Sequence, residues 1–360
     1  MANSATVGSI LDPKLNNFTF LRLLAALAVV VSHAVFLRSG NKADEIFSAA
    51  SVYNLGDHAV NVFFFLSGLT VAASLDRSGS TVKFMIARTL RIFPGLIACT
   101  GLMVLLGIAV TDCPARQYLM DTHVLKFIFA TASSSSASTG LPGVFAANPH
   151  PSIVNAPLWT LKYELLCYLA LALIAALNLF ERTRLAWLLP IGWVLTGAFL
   201  LYRFEQHPTV ADNVARFWFT FSLGVGSFVF RDRITLSWVV GIAMVALMWI
   251  TLDTGSERLM SPIATGYVAL LLGSMPLPIV REFSNRTDLS YGVYIVGWPI
   301  SQTLVWLSPG IGTIHLVSAS IVFALGLAAL SWHLIEKPSL RVRGAFESLF
   351  SNEPRSAIGL

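Results

Sequence analysis

Apolar positions along this chain are not arranged as a narrow helical stripe or as an alternation. They come in runs of about 18 residues or more, broken by short polar stretches. The runs lie near 18–36, 58–75, 92–110, 158–180, 185–202, 213–230, 235–252, 259–280, 289–307 and 312–335. Each is long enough to cross a bilayer core as a helix. In hydrocarbon every backbone N–H and C=O must be satisfied internally, and the roughly ten-residue alternation of barrel strands is missing. The expected fold is all-α: a polytopic integral membrane helix bundle with about ten transmembrane helices. The longest connection, 111–157, holds "VLKFIFATA", apolar enough to dip into the membrane surface, and "SSSSASTG" at 133–140. No internal repeat or long hydrophilic linker divides the chain. Residues 1–360 are therefore expected to form one membrane domain with short polar tails at 1–17 and 336–360.

Composition agrees with a lipid solvent, since 55% of residues are hydrophobic and only 12% are charged, about half the charged share of a soluble domain. The basic residues then orient the bundle. With the N-terminus in the cytoplasm, Arg38, Lys42, Arg116, Lys126, Arg203 and Arg258 fall outside, and about fifteen others flank the inner side. Both termini are expected to be cytoplasmic, and the net charge of +5 reflects those flanks rather than a nucleic-acid partner. Cys99, Cys113 and Cys167 have neither a disulfide framework nor metal-ligand spacing, so no metal is expected. The first run, followed by "SHA", also has the outline of a cleaved signal peptide. Cleavage would remove Arg22 and leave an odd number of spans, which contradicts the charge count.

Ionisable groups inside the runs are costly and mark candidate chemistry. Arg22 and His33 are eleven positions apart, within about 20° of one helical face and roughly 16 Å apart along the axis. Either alone fits a snorkelling arginine or a carbonyl-bonded histidine, whereas both on one stripe favour a site. "GDHAVNVFFFLSG" (56–68) places His58, Asn61, Ser67 and Gly68 beside an aromatic run, which also suits a small-residue helix contact. "KFMIARTLRIFPG" (83–95) puts Arg88 and Arg91 on one face before Pro94. They are either positive-inside anchors or a phosphate clamp. "NAPLWTLKYELLCYL" (155–169) contains Trp159, Lys162 and Glu164 toward the outer end of its run. The carboxylate is either half of a structural pair or the orienting partner of a histidine. "LSYGVYIVGWPI" (289–300) carries Tyr291 and Tyr294, and "WHLIEKPSL" (332–340) carries Glu336 and Pro338. Both also fit an interfacial belt and a helix stop.

In this order, these segments resemble the acyltransferase 3 family of membrane acyltransferases over nearly the whole chain. The resemblance rests on Arg22 and His33 in the first run, Phe63, Phe64, Ser67 and Gly68 in the second, and Arg88, Arg91 and Pro94 at the third. Leu158, Trp159, Thr160, Leu161 and Glu164 match the family's "LWSL-x-x-E", and Glu336 with Pro338 match its "E-x-P". There are two departures. Gly297 stands where the family pattern "SYxxYLxHxP" often has a histidine, and Asn61 stands where many relatives have an acid. The chain ends too soon for the soluble esterase-type domain that some relatives append.

The resemblance implies a multi-pass protein of the bacterial inner membrane. It implies transfer of an acyl group, most often acetyl, from cytoplasmic acyl-CoA as cosubstrate to a hydroxyl of a carbohydrate such as exopolysaccharide, O-antigen or lipo-oligosaccharide. His33 is then the general base, with Glu164 orienting it and Arg22 serving the donor. Arg88 and Arg91 hold the CoA phosphates, and His58, Asn61, Ser67, Trp159, Tyr291, Tyr294 and Glu336 bind substrate or support the site. The rival class is a carrier or flippase that moves a glycan or small anion without changing it, against which stands the lack of an inverted repeat. The partners expected are lipid and a carbohydrate acceptor, with no nucleic acid.

Overall fold

The computed structural model describes residues 5–349, except 136–139, 152, 205, 207 and 208. The middle of "SSSSASTG" and the polar tail beyond 349 lie outside the described residues. The regular secondary structure of the described residues is helical, joined by turns and loops, with two isolated β-bridges, Thr6 to Thr235 and Thr111 to Val144. The helices are α1 (Phe18–Ser39), α2 (Leu55–Ser78), α3 (Thr81–Val110), α4 (Ala115–Met120), α5 (Thr122–Ala132), α6 (Leu161–Ala176), α7 (Arg182–Tyr202), α8 (Val210–Val229), α9 (Trp238–Ile250), α10 (Glu257–Ser274), α11 (Pro278–Arg286), α12 (Ser290–Leu307), α13 (Thr313–Ser331), α14 (Lys337–Arg341) and α15 (Arg343–Leu349).

A helix stands on each of the ten apolar runs, but among the described residues six segments are long and apolar enough to cross a membrane by themselves. These are α1, α2, α3, α6 with its leading 3-10 turn, α7, and α13 with its continuation. Helices α10 and α11 meet the same length and composition only when taken together across a 102° bend, as a broken span or a re-entrant loop. The remainder fall short for two reasons. Helix α9 has 13 residues. Helices α8 and α12 are less apolar because most of their surface meets other helices, where serines, threonines and an arginine find partners. The lipid-facing surface is apolar in the expected places, with Trp187, Val194, Val239, Ile250 and Val322 exposed.

Helices α2 and α8 cross with backbones in contact. A Cβ on Gly68 would lie 2.0 Å from the Phe221 carbonyl oxygen, and one on Gly224 would lie 2.0 Å from that of Phe65. Such small-residue crossings let van der Waals packing hold helices together without a hydrophobic driving force. Helix α1 packs against α2 and α12. A Cβ on Gly297 of α12 would come 2.5 Å from Val30 Cγ2, so the position where the family pattern often has histidine is closed by α1.

Helix α3 begins at Thr81, eleven residues before the predicted run at 92–110, and two further differences bear on the site. The run at 158–180 does not begin as an α-helix at the bundle's edge. A 3-10 turn, Ala156–Thr160, leads down along α12, and α6 starts only at Leu161. Side chains of α12 satisfy the backbone on the way: Trp298 Nε1 and Gln302 Nε2 donate to Ile153 O (2.8 and 3.0 Å), and Tyr294 Oη donates to Pro157 O (3.1 Å). Irregular backbone is tolerated at membrane depth only with such partners. The helix stop expected at Pro338 is instead a π-turn, Trp332–Glu336, after which α14 continues. A widened turn of this kind, closed by Lys337 N–H to Trp332 O, makes room for a proline, whose ring would clash with the carbonyl four residues earlier and which has no N–H to donate.

Candidate active site

Arg22, Ser67, Arg88, Arg91, Glu164, Tyr168, Tyr291 and Tyr294 line one cavity of about 760 Å³, counting its open mouth. It is enclosed by α1, α2, α3, α6 and α12, and Val60, Phe63, Phe64 and Leu161 supply its apolar wall. Glu164 reaches it because α6 begins inside the bundle, one consequence of the descending 3-10 turn.

The polar groups fall into two kinds. Arg91 is committed to the protein: Nη2 binds Asp288 Oδ2 at 2.6 Å, Nη1 binds Glu336 Oε2 at 3.0 Å, and its Cζ lies 5.6 Å from the Tyr291 ring centroid. The π-turn presents Glu336, which also accepts from Ser331 Oγ at 3.0 Å. Arg22 and Arg88, by contrast, have no carboxylate within ion-pair distance among the described residues. Arg22 Nη2 donates to Thr70 Oγ1 (2.6 Å) and Leu66 O (3.2 Å). Arg88 Cζ lies 6.0 Å from the Tyr168 ring centroid, and its Nε is buried without a partner. A buried polar group without a partner costs about 1–3 kcal/mol, so it marks a place where a ligand or water belongs. Arg88 and Arg91 thus share a face as predicted, but Arg91's fork is already filled by carboxylates.

Glu164 accepts a short hydrogen bond from Tyr168 Oη and a longer one from Ser67 Oγ (3.4 Å). Tyr168 and Ser67 are themselves 2.9 Å apart. The predicted arrangement, with Glu164 at the outer end beside His33, is therefore not the one found. His33 does not line the cavity. It lies farther along α1, edge-on to Trp298 with centroids 5.3 Å apart, and its Nδ1 is buried and unpartnered. The separation is modest, because Tyr294 lines the cavity and Trp298 is one turn away on α12, about 6 Å along the axis.

The other predicted residues stand as follows. Tyr294 Oη meets Thr160 Oγ1 at 2.6 Å, and Tyr291 Oη donates to Ile92 O at 2.8 Å. Trp159 packs on Tyr163 and Phe217, away from the cavity. His58 Nδ1 meets Ser261 Oγ of α10 at 3.0 Å. Asn61 Oδ1 accepts from Arg216 Nη2 at 3.2 Å, while Arg216 Nη1 binds Asp57 Oδ1 at 2.8 Å. Asp57, one turn before Asn61 on α2, thus supplies the carboxylate that pairs with Arg216.

Arg216, Tyr168 and Asp288 were not singled out in the sequence. For Arg216 a signal existed. Assigning basic residues to loops leaves Arg22, Lys162 and Arg216 inside the apolar runs. Asp288 sits two residues before a helix start, where a carboxylate is commonplace, and Tyr168 sits among leucines.

This architecture, a bundle of apolar helices around an arginine-lined cavity with a carboxylate and hydroxyls in its wall, defines a multi-pass membrane protein with an internal polar site. The family model described as an acyltransferase domain matches residues 15–333, and the chain belongs to the acyltransferase 3 family. It is 29% identical to "Nodulation protein 10" of Rhizobium leguminosarum bv. viciae, over 91% of this chain and 94% of that protein. It is also 29% identical to an "O-acetyl transferase" of Shigella phage Sf6, over 90% of this chain and 96% of that one. No solved structure matches the chain.

Proposed function

We propose that the protein transfers an acyl group, acetyl above all, from acyl-CoA to a carbohydrate hydroxyl at the bacterial inner membrane. The observation that carries this reading is the convergence of Arg22 and Arg88, neither paired with a carboxylate, on a cavity that also holds Glu164, Ser67 and Tyr168. An anionic ligand fits these residues, because the buried, unpartnered Arg88 Nε can donate to a phosphate oxygen and guanidinium forks suit phosphate. The family and the O-acetyl transferase relative support an acyl group as the cargo. The basic-residue bias supports ten crossings with both termini in the cytoplasm, so that Arg88 and Arg91 face the donor's compartment.

A bound acyl-CoA supplies an activated carbonyl, to which the acceptor oxygen bonds as the C–S bond breaks. Arg22 and Arg88 hold the donor's anionic part. Glu164, with Tyr168 and Ser67, forms a polar wall beside it. His33 takes the proton of the acceptor hydroxyl, for which its unpartnered Nδ1 is free. Val60, Phe63 and Phe64 give the donor cavity an apolar wall that limits water around the thioester.

The test uses purified full-length protein in detergent, acetyl-CoA, and surface polysaccharide from a strain lacking the protein, with CoA release and base-labile acetate as readouts. Wild type is expected to turn over and His33→Ala to lose at least about a hundredfold, the usual share of a general base. An inactive wild type would remove the transferase reading in favour of a carrier. A His33→Ala variant with half the wild-type rate would remove His33 as base.

A further inference from the structure

Beyond the cavity, at the far end of α1, four rings meet: His33 and Phe36 from α1, Trp298 from α12, and His150 from the connection between α5 and α6. The Phe36 and His150 centroids are 4.1 Å apart, and Trp298 lies 5.3 Å from His33, 6.2 Å from Phe36 and 6.3 Å from His150. The two imidazoles share an indole neighbour and a defect. His33 Nδ1 and His150 Nε2 are both buried, and neither has a hydrogen-bond partner.

The backbone around His150, unlike its ring, is firmly held. Gln302 Nε2 donates to His150 O at 2.9 Å and to Ile153 O at 3.0 Å. Asn148 Nδ2 donates to Gln302 O at 2.9 Å and to Gln302 Oε1 at 2.6 Å, and Trp298 Nε1 donates to Ile153 O at 2.8 Å. The connection is thus pinned to α12 on both sides of His150, while the imidazole has aromatic contacts with Phe36 and Trp298 and its Nε2 has no hydrogen-bond partner among the described residues. A ring serving packing alone has no need of a buried nitrogen without a partner, since a phenylalanine or leucine fills the same space at no desolvation cost. A ring held by its backbone and free at its nitrogen can turn to meet a hydroxyl.

We propose that His150 is a specificity-determining residue on the acceptor side. Its Nε2 hydrogen-bonds a hydroxyl of the acceptor while His33 serves the hydroxyl that reacts. The proposal rests on the transferase reading above. The ligand class follows from the chemistry of the four rings. Phe36 and Trp298 offer apolar faces and the two imidazoles offer hydrogen bonds. This suits a hydroxyl-rich ring. Gly297, closed off by Val30, provides no imidazole from α12, so on this face the second one comes from the connection.

The experiment repeats the detergent assay with acetyl-CoA and polysaccharide from the strain lacking the protein, comparing wild type, His150→Ala and His150→Gln, with thermal stability recorded for each. His150→Ala is expected to raise the polysaccharide KM at least tenfold and leave the acetyl-CoA KM within twofold. His150→Gln, which keeps a hydrogen-bonding end, is expected to recover part of the loss. An unchanged polysaccharide KM in His150→Ala would overturn the proposal. A loss that tracks melting temperature in both variants, with both KM values moved together, would also overturn it and leave His150 as loop packing. An inactive wild type would instead remove the transferase reading itself.

Discussion

At the scale of single residues, Arg88 and Arg91, which sequence alone makes equivalent, are expected to separate. Arg88→Ala should raise the acyl-CoA KM about ten- to a hundredfold, the equivalent of one charge-assisted phosphate contact worth roughly 1.5–3 kcal/mol, and leave the acceptor KM unchanged. Arg88→Lys should recover only part, because it keeps the charge and loses the fork. Arg91→Ala should act on the fold instead. It strands Asp288 and the 2%-exposed Glu336, a loss on the order of 3 kcal/mol read as a lower melting temperature in detergent. An Arg91→Ala protein of normal stability with a raised acyl-CoA KM would return Arg91 to the donor site. Gly297→His should destabilise through the Val30 contact, and Val30→Ala in the same chain should restore part of the stability. The polar residues of the cavity that sequence did reveal, Arg22, Ser67, Arg88, Arg91, Glu164, Tyr291 and Tyr294, stand in apolar surroundings or sit in patterned segments. Tyr168 and His150 lacked that contrast, because a tyrosine in a span and a histidine in a loop are ordinary until their partners are known.

At the scale of elements, the segment between 153 and 164 decides where Glu164 acts. Because it descends as a 3-10 turn bonded to α12, the carboxylate arrives at the cavity rather than at the outer end with His33. Hydropathy cannot detect this, since buried irregular backbone and helix are equally apolar in composition. The crossing of α2 and α8 makes a sharper prediction. Gly68→Ala puts a methyl 2.0 Å from a backbone carbonyl that cannot move without moving α8. It should cost at least about 3 kcal/mol, the upper end of ordinary overpacking, with a matching fall in melting temperature. Gly101→Ala, with open space around it, serves as the control and should be neutral or mildly stabilising.

At the scale of the whole molecule, the proposed topology predicts that green fluorescent protein fused after residue 360 fluoresces and alkaline phosphatase fused there is inactive; the reverse result would invert the bundle and move Arg88 away from the donor's compartment. What the sequence by itself determined was the solvent and the secondary structure. Lipid forces every span to satisfy its own backbone, so apolar runs of sufficient length become helices wherever they pack, and a helix does stand on each of them. The same local rules located the costly groups, because a charge in hydrocarbon is conspicuous without any knowledge of its neighbours. Only the tertiary structure decided which of those groups face one another. It committed Arg91 to Asp288 and Glu336, left Arg88 without an ion pair among the described residues, moved Glu164 away from His33 and paired Asn61 with Arg216. Those outcomes depend on crossings set by single glycines and on where one segment starts its helix. Contacts between residues 40 to 250 positions apart are fixed by how helix surfaces fit, and a linear pattern of polarity carries no record of that fit.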